Sequence, residues 1–161
     1  MAFDVPLNPT PRVVAQIFDR LRNRPGLDGV VIARHLSNPD TVPESMVFIG
    51  ATDEAESETV GNLRMRHSLT LRWEIFVNRV GGDEDTAVEV QERCYEILRE
   101  VDREFRGSTA GATLTGADNV RLARSAKVGN STLDVGWTPT GSHQAARLQF
   151  EIKVEADTQR G

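Results

Sequence analysis

The sequence predicts an α+β protein: a mostly antiparallel sheet with two main helices packed on one face. Three patterns predict it. The stretch "AARLQFEIKVEAD", residues 145–157, puts Ala146, Leu148, Phe150, Ile152 and Val154 on one parity and Arg147, Gln149, Glu151, Lys153 and Glu155 on the other. Such period-two alternation is a strand with one apolar and one solvated face. "RHSLTLRWEIFVNRV", residues 66–80, repeats the pattern. Only two stretches carry strong helical periodicity, and strands follow one another in sequence between and after them.

The elements follow in order. The Pro-rich residues 1–9 suggest an extended arm. "TPRVVAQIFDRLRNR" is a helix, with Thr10 as N-cap, Pro11 at the first helical position, and Val14, Ile17, Phe18 and Leu21 on one face. Arg20, Arg22 and Arg24 near its end complement the helix dipole, and "RPGLDG" stops it. "GVVIARHL" is a β-branched strand, "SNPDTVPES" a turn-rich connection and "SMVFIG" a second short strand. "ATDEAESETVGNLRM" has two readings, a solvated loop or a hairpin arm spanning 51–66; loops this long in small domains are usually functional or disordered.

In the strand 66–80, Leu69, Leu71, Trp73, Ile75 and Val77 point one way and Thr70, Arg72, Glu74 and Asn78 the other, with Phe76 an apolar exception on the polar side. "GGDEDTAVEVQERCYEILREVDREFRG" is the second helix. Asp83, Glu84 and Asp85 sit at its N-terminus, Ala87, Val90, Cys94, Ile97, Leu98, Val101 and Phe105 form its apolar stripe, and Gly107 closes it. Glu89 and Arg93 form a favourable i,i+4 pair on its polar side. "STAGATLTGADN" is a small-residue loop. "VRLARSAKVG" is a strand with Val120 and Leu122 on one parity, and "STLDVGWTPTGSHQ" a short strand followed by a turn. No internal repeat or linker divides the 161 residues, so one domain over 1–161 is expected.

Composition narrows the function. A formal charge of −5 and a pI near 5.2 argue against a dedicated nucleic-acid binder, which needs a basic surface to displace phosphate counterions. A single cysteine, Cys94, rules out an intrachain disulfide and fits a reducing compartment. The N-terminus carries no basic region followed by an apolar one, so no signal peptide is expected, and no apolar run reaches the roughly 18 residues of a membrane span.

The motifs of catalysis and cofactor binding do not assemble, so neither an enzyme, a metal nor a cofactor is expected. His35, His67 and His143 lack metal-ligand spacing, and Cys94 lies in an apolar stripe, as a buried structural cysteine does. "GGDEDT" follows a strand and opens a helix, but it has no lysine and sets three acids where a phosphate would lie. No GxSxG occurs, and Ser142 beside His143 does not make a triad.

What remains is surface. Arg72, Arg147 and Lys153 alternate with Glu74, Glu151 and Glu155 on the polar strand faces. Such a face is either simply solvated or a subunit interface or pore lining, where paired charges set register and partner choice. Phe76 is either a contact residue or covered by a loop. The candidate contacts are therefore Arg72, Glu74 and Phe76, with Asp53, Glu54, Glu56, Glu58, Arg64 and Arg66 from the 51–66 segment.

The order of "VAQIFDRLRN", "GLDGVVIARHL", "HSLTLRWEIFV", "DEDTAVEVQERCYEILREV" and a late "GWTPTGSHQAARLQFEIKVEA" resembles the tail terminator (tail completion) proteins of long-tailed bacteriophages, over about residues 10–157. The resemblance implies an α+β subunit of a homo-hexameric ring. That ring caps the tail tube, ends tube polymerisation and forms the face that joins the head. Its implied partners are further copies of itself, the tail-tube protein and head–tail connector proteins. DNA is implied only as cargo through the channel, and no membrane is involved. The implied location is the tail end or neck of the virion, after assembly in the host cytoplasm. Six copies would surround the channel with six times the chain's −5, which repels phosphates and lets DNA slide. A head-closure or adaptor protein of the neck is the alternative. A small ligand-binding domain or enzyme is the reading from another class.

Overall fold

A computed structural model describes residues 8–37, 41–57, 64–137 and 143–159. The elements are α1 (Thr10–Arg22), a 3-10 turn (Pro25–Leu27), β1 (Val31–Ala33), β2 (Glu44–Ser57), β3 (Arg64–Val80), α2 (Glu84–Arg106), α3 (Thr109–Ala112), β4 (Ser125–Trp137) and β5 (His143–Gln159). The five strands form one sheet in the order β1-β2-β3-β5-β4; only the β1–β2 pair is parallel. The α+β class with a mostly antiparallel sheet is as the sequence predicts.

The alternating strand pattern sets which face is covered. Leu69, Leu71, Trp73, Ile75 and Val77 of β3 and Leu148, Ile152 and Val154 of β5 are fully or almost fully buried beneath the helices. Phe18 of α1 meets the Trp73 ring at 5.0 Å, and Phe48 of β2 meets it at 5.1 Å. Each such large apolar side chain contributes about 1.5–3 kcal/mol on burial. α2 adds Val90, Cys94, Ile97, Val101 and Phe105, the stripe its 3.6-residue period dictates.

Charged side chains fix the helices at the rim of this core. Glu44 at the start of β2 accepts from Arg93 of α2 at 2.6 and 3.0 Å and from Arg79 of β3 at 2.7 Å. Arg24 bonds Glu100 of α2 at 3.0 Å. The expected Glu89–Arg93 pair is replaced, because Arg93 turns to the half-buried Glu44 while Glu89 meets Arg79 at 3.3 Å. Carboxylates beneath a helix flank compete better for a guanidinium than an exposed neighbour on the same helix.

Several boundaries differ from those the sequence predicts. The cap of α1 is Pro9 rather than Thr10; the Asn8 side chain accepts from the Thr10 N–H at 2.9 Å, doing the capping from two residues upstream. The strand expected over 29–36 is only three residues long, entered from Gly29 at φ 87°. Residues 51–57, left open between loop and arm, continue β2 and pair with β3 as far as Ser57–Met65, while 58–63 lie outside the described residues. The arm expected at 1–9 also lies outside them as far as residue 7. The strand expected over 120–129 begins only at Ser125, since Asn119 at φ 61° turns the chain and Arg121 makes just an isolated bridge to Thr115. That strand then runs through to Trp137, absorbing the short strand expected after 131.

Candidate interaction surface

The face of the sheet opposite α1 and α2 carries the polar parity of every long strand, and the register aligns these side chains into cross-strand rows. One row holds Ser45, Phe76, Arg147 and Asp134, and the next Val47, Glu74, Gln149 and Thr132. Gly50, Arg72 and Glu151 follow, then Thr52, Thr70, Lys153 and Lys127, then Glu54, Ser68, Glu155 and Ser125, and finally Glu56, Arg66 and Asp157.

Polar contacts knit the rows. Gln149 donates to Glu74 at 3.2 Å, Ser68 donates to Glu155 at 2.9 Å, and Arg124 donates to Asp157 at 2.5 Å. Lys153 lies 3.6 Å from Glu151, and Arg72 reaches Thr52 at 3.4 Å. Gly50 leaves the room Arg72 needs: a Cβ there would stand 2.9 Å from its guanidinium. At the end of the face near Ser57 the rows open into a cleft of about 480 Å³ lined by Glu54, Glu56, Arg66, Ser68, Arg124, Ser125 and Glu155. A smaller hollow of about 250 Å³ sits between Ile49, Arg72, Trp73, Asn130, Thr132, Gln149, Phe150 and Glu151. The cleft is lined by charged and hydroxyl side chains, whereas the hollow also reaches Ile49, Trp73 and Phe150. The cleft suits a polar partner surface better than an apolar small molecule.

The candidate residues separate. Arg72, Glu74, Glu54, Glu56 and Arg66 share the open face. Asp53 has the opposite parity and lies on the helix-covered face, where both its carboxylate oxygens lie 2.9 and 3.0 Å from Nδ1 of the buried His67. Arg64 is the first residue of β3, and Glu58 lies outside the described residues. Phe76, read from the sequence as an aromatic among exposed charges, is only 3% exposed. The Arg147 guanidinium stacks over its ring at 5.4 Å, and Asn78, next along the same face, holds the Val42 carbonyl at 2.7 Å. Ser45 and Asn78 beside it are buried too, so this end of the face is closed rather than open, with Arg147 stacked on the ring.

Sequence reasoning passed over Lys127 and Asp134, because a bulge between Val128 and Ser131 shifts the parity of β4 midway. Arg124 and Asp157 were passed over as well. They lie at the margins of their strands, where alternation carries little signal.

Cys94 is buried with Sγ 3.6 Å from the Ala146 carbonyl; burial first, then the nearby Glu44 charge, push its thiol up to about 12. A thiol so placed is neutral packing material rather than a nucleophile. Among the described residues no group of three or more His, Cys, Asp or Glu is placed to hold a metal, and no helix is long and apolar enough to cross a membrane.

The class these features define is an α+β fold with helices on one side of a long-stranded sheet and a largely polar and charged face on the other. In fold the chain is similar to a chain of the virion of a native gene transfer agent particle. The TM-score is 0.58 at 12% identity, and the match covers 94% of this chain and 100% of that one. No family model matches the sequence, and neither does any curated protein.

Proposed function

We propose that the protein is a structural component of a phage-like virion and acts as a tail terminator. Copies form a homo-hexameric ring that caps the tail tube, ends its polymerisation and offers the face that joins the head. The observation that carries this reading is the whole-length likeness of fold to a chain of a gene transfer agent virion, in which neither chain contributes an unmatched domain. The open face adds support, because its rows of alternating charge suit a surface read by other proteins. Arg72, Glu74, Glu54, Glu56 and Arg66 are the contacts assigned to it. Phe76 acts indirectly by seating Arg147. In this reading the partners are further copies, the tail-tube protein and the connector proteins of the neck. DNA passes as cargo past a ring whose acidity keeps phosphates from sticking. The protein works at the tail end of the virion after assembly in the host cytoplasm.

The deciding experiment mixes the purified protein with the tail-tube protein of its own particle and follows tube length by negative-stain microscopy. Rings at tube ends and arrested growth are the expected outcome. Rings that ignore the tube but bind portal or adaptor protein would assign the chain to head closure instead. Binding to none of these would defeat the reading.

A further inference from the structure

The sheet has two long unpaired edges among the described residues. β1 covers only Ser45–Val47 of β2, so beyond Val47 the outer edge of β2 meets no strand as far as Ser57. On the other side, β4 pairs with β5 alone. Edges of this length expose rows of backbone N–H and C=O groups and invite another strand.

The two edges match in direction, shape and charge. From β2 through β3 and β5 to β4 every pairing is antiparallel, so β2 and β4 run in opposite directions. A second copy related by rotation about an axis along the strands therefore brings its β2 antiparallel to the first copy's β4. Each edge carries one bulge, at Ile49 in β2 and at Gly129–Asn130 in β4. The two bulges lie at nearly the same level, both next to the row that joins Phe48, Trp73, Phe150 and Ser131 and on the side toward the Gly50–Arg72–Glu151 row. Bulges bend a strand, so in the staggered pairing the two edges bend within a few residues of one another.

Charge supplies the most specific argument. On β4, Lys127 stands directly opposite Lys153, an unfavourable like-charge pair. Lys153 turns to Glu151, while Lys127 makes no ion pair among the described residues. On β2, Glu54 and Glu56 are exposed on the same face and make none either. Lys127 shares its row with Thr52, so a stagger of two residues sets it beside Glu54 of the next copy. Closing a sheet on itself requires a stagger of this kind.

We infer that β4 of one copy pairs antiparallel with β2 of the next, with Lys127 facing the neighbour's Glu54 and Glu56, so that the strands of a ring form one continuous sheet. The inference rests on the ring of the preceding reading and names the edges that close it.

Paired cysteines test it. The variant carrying Glu54→Cys and Lys127→Cys is oxidised with diamide over a range of concentrations; the buried Cys94 stays out of the reaction. Covalent oligomers climbing stepwise from dimer to ring size are expected from the double variant, with only background from each single variant. Equal cross-linking by a single variant would mean a two-fold contact and overturn the inference. Rings on grids without covalent ladders would overturn the inference while leaving the ring reading intact. Neither rings nor ladders at any concentration would sink both.

Charge reversal guards against an uninformative folding defect. Lys127→Glu removes a like-charge contact inside the subunit, so Tm is expected to hold while assembly falls about tenfold, with recovery on adding Glu54→Lys. Undiminished assembly of Lys127→Glu would also overturn the inference.

Discussion

At Glu44 two guanidiniums from different elements converge on one carboxylate that is only 13% exposed. Burial pushes its pKa up, but the hydrogen bonds and charges of Arg93 and Arg79 outweigh burial and leave it below the ordinary value of 4.5. A carboxylate depressed in the folded state adds stability that is fully present above its unfolded pKa. That stability is lost as pH falls through the folded value. Glu44→Gln is therefore expected to cost about 1–3 kcal/mol at neutral pH, because it leaves two guanidiniums short of charge. It should also flatten the loss of stability below about pH 4.5. Urea midpoints measured from pH 7 down to pH 3 check both; equal acid sensitivity in parent and variant would mean that the Glu44 cluster is not the acid-labile joint. The Glu44 cluster could not be read from the sequence, because it joins residues 35 and 49 positions apart.

Elements differ in how much of themselves the sequence displays. α2 and β5 were legible throughout, since each keeps one period from end to end and its apolar stripe has a single partner surface. β4 was not, because its bulge splits one strand of 13 residues into two short apparent ones with opposite parity. α3 was invisible for a different reason. Four residues, "TAGA", are too short to display a period, and the turn is held by the Ser108 hydroxyl accepting from the Gly111 N–H at 3.0 Å. Gly111 is also where α3 touches the end of α2: a Cβ there would fall 2.0 Å from the Glu104 carbonyl oxygen, a backbone atom that cannot swing aside. Gly111→Ala is thus expected to push α3 off α2 and cost about 1–3 kcal/mol, seen as a lowered urea midpoint with an unchanged slope. An unaltered midpoint would mean that α3 docks loosely. The open face was legible as a charged face. Its membership was not: Asp53 and Phe76 depended on a parity and a burial that only the folded neighbours decide.

Across the whole molecule, the last strand of the chain sits not at an edge but between β3 and β4. Its 17 residues pair with β3 along the whole length, from Val80–His143 to Arg64–Gln159. The clean alternation of 145–157 has its cause here: a strand paired on both sides, with one face against the helices and one against solvent, tolerates no slip of register. It also means that the sheet closes only when the final residues meet a strand formed from the middle of the chain, a long-range pairing of the kind that slows folding. A chain ended after residue 142 would lose Leu148, Phe150, Ile152 and Val154 from the core and leave β4 without its one partner strand among the described residues. Four such side chains at about 1.5–3 kcal/mol each approach or exceed the 5–15 kcal/mol that ordinarily holds a domain folded. The truncated chain is therefore expected to be unfolded or aggregated by circular dichroism and size-exclusion chromatography. Val31→Ser, in the three-residue edge strand β1, should change stability by no more than about 0.5 kcal/mol. The contrast is the test. If the truncated chain kept a native spectrum while Val31→Ser unfolded the protein, β5 would not be the strand that joins the two halves of the sheet.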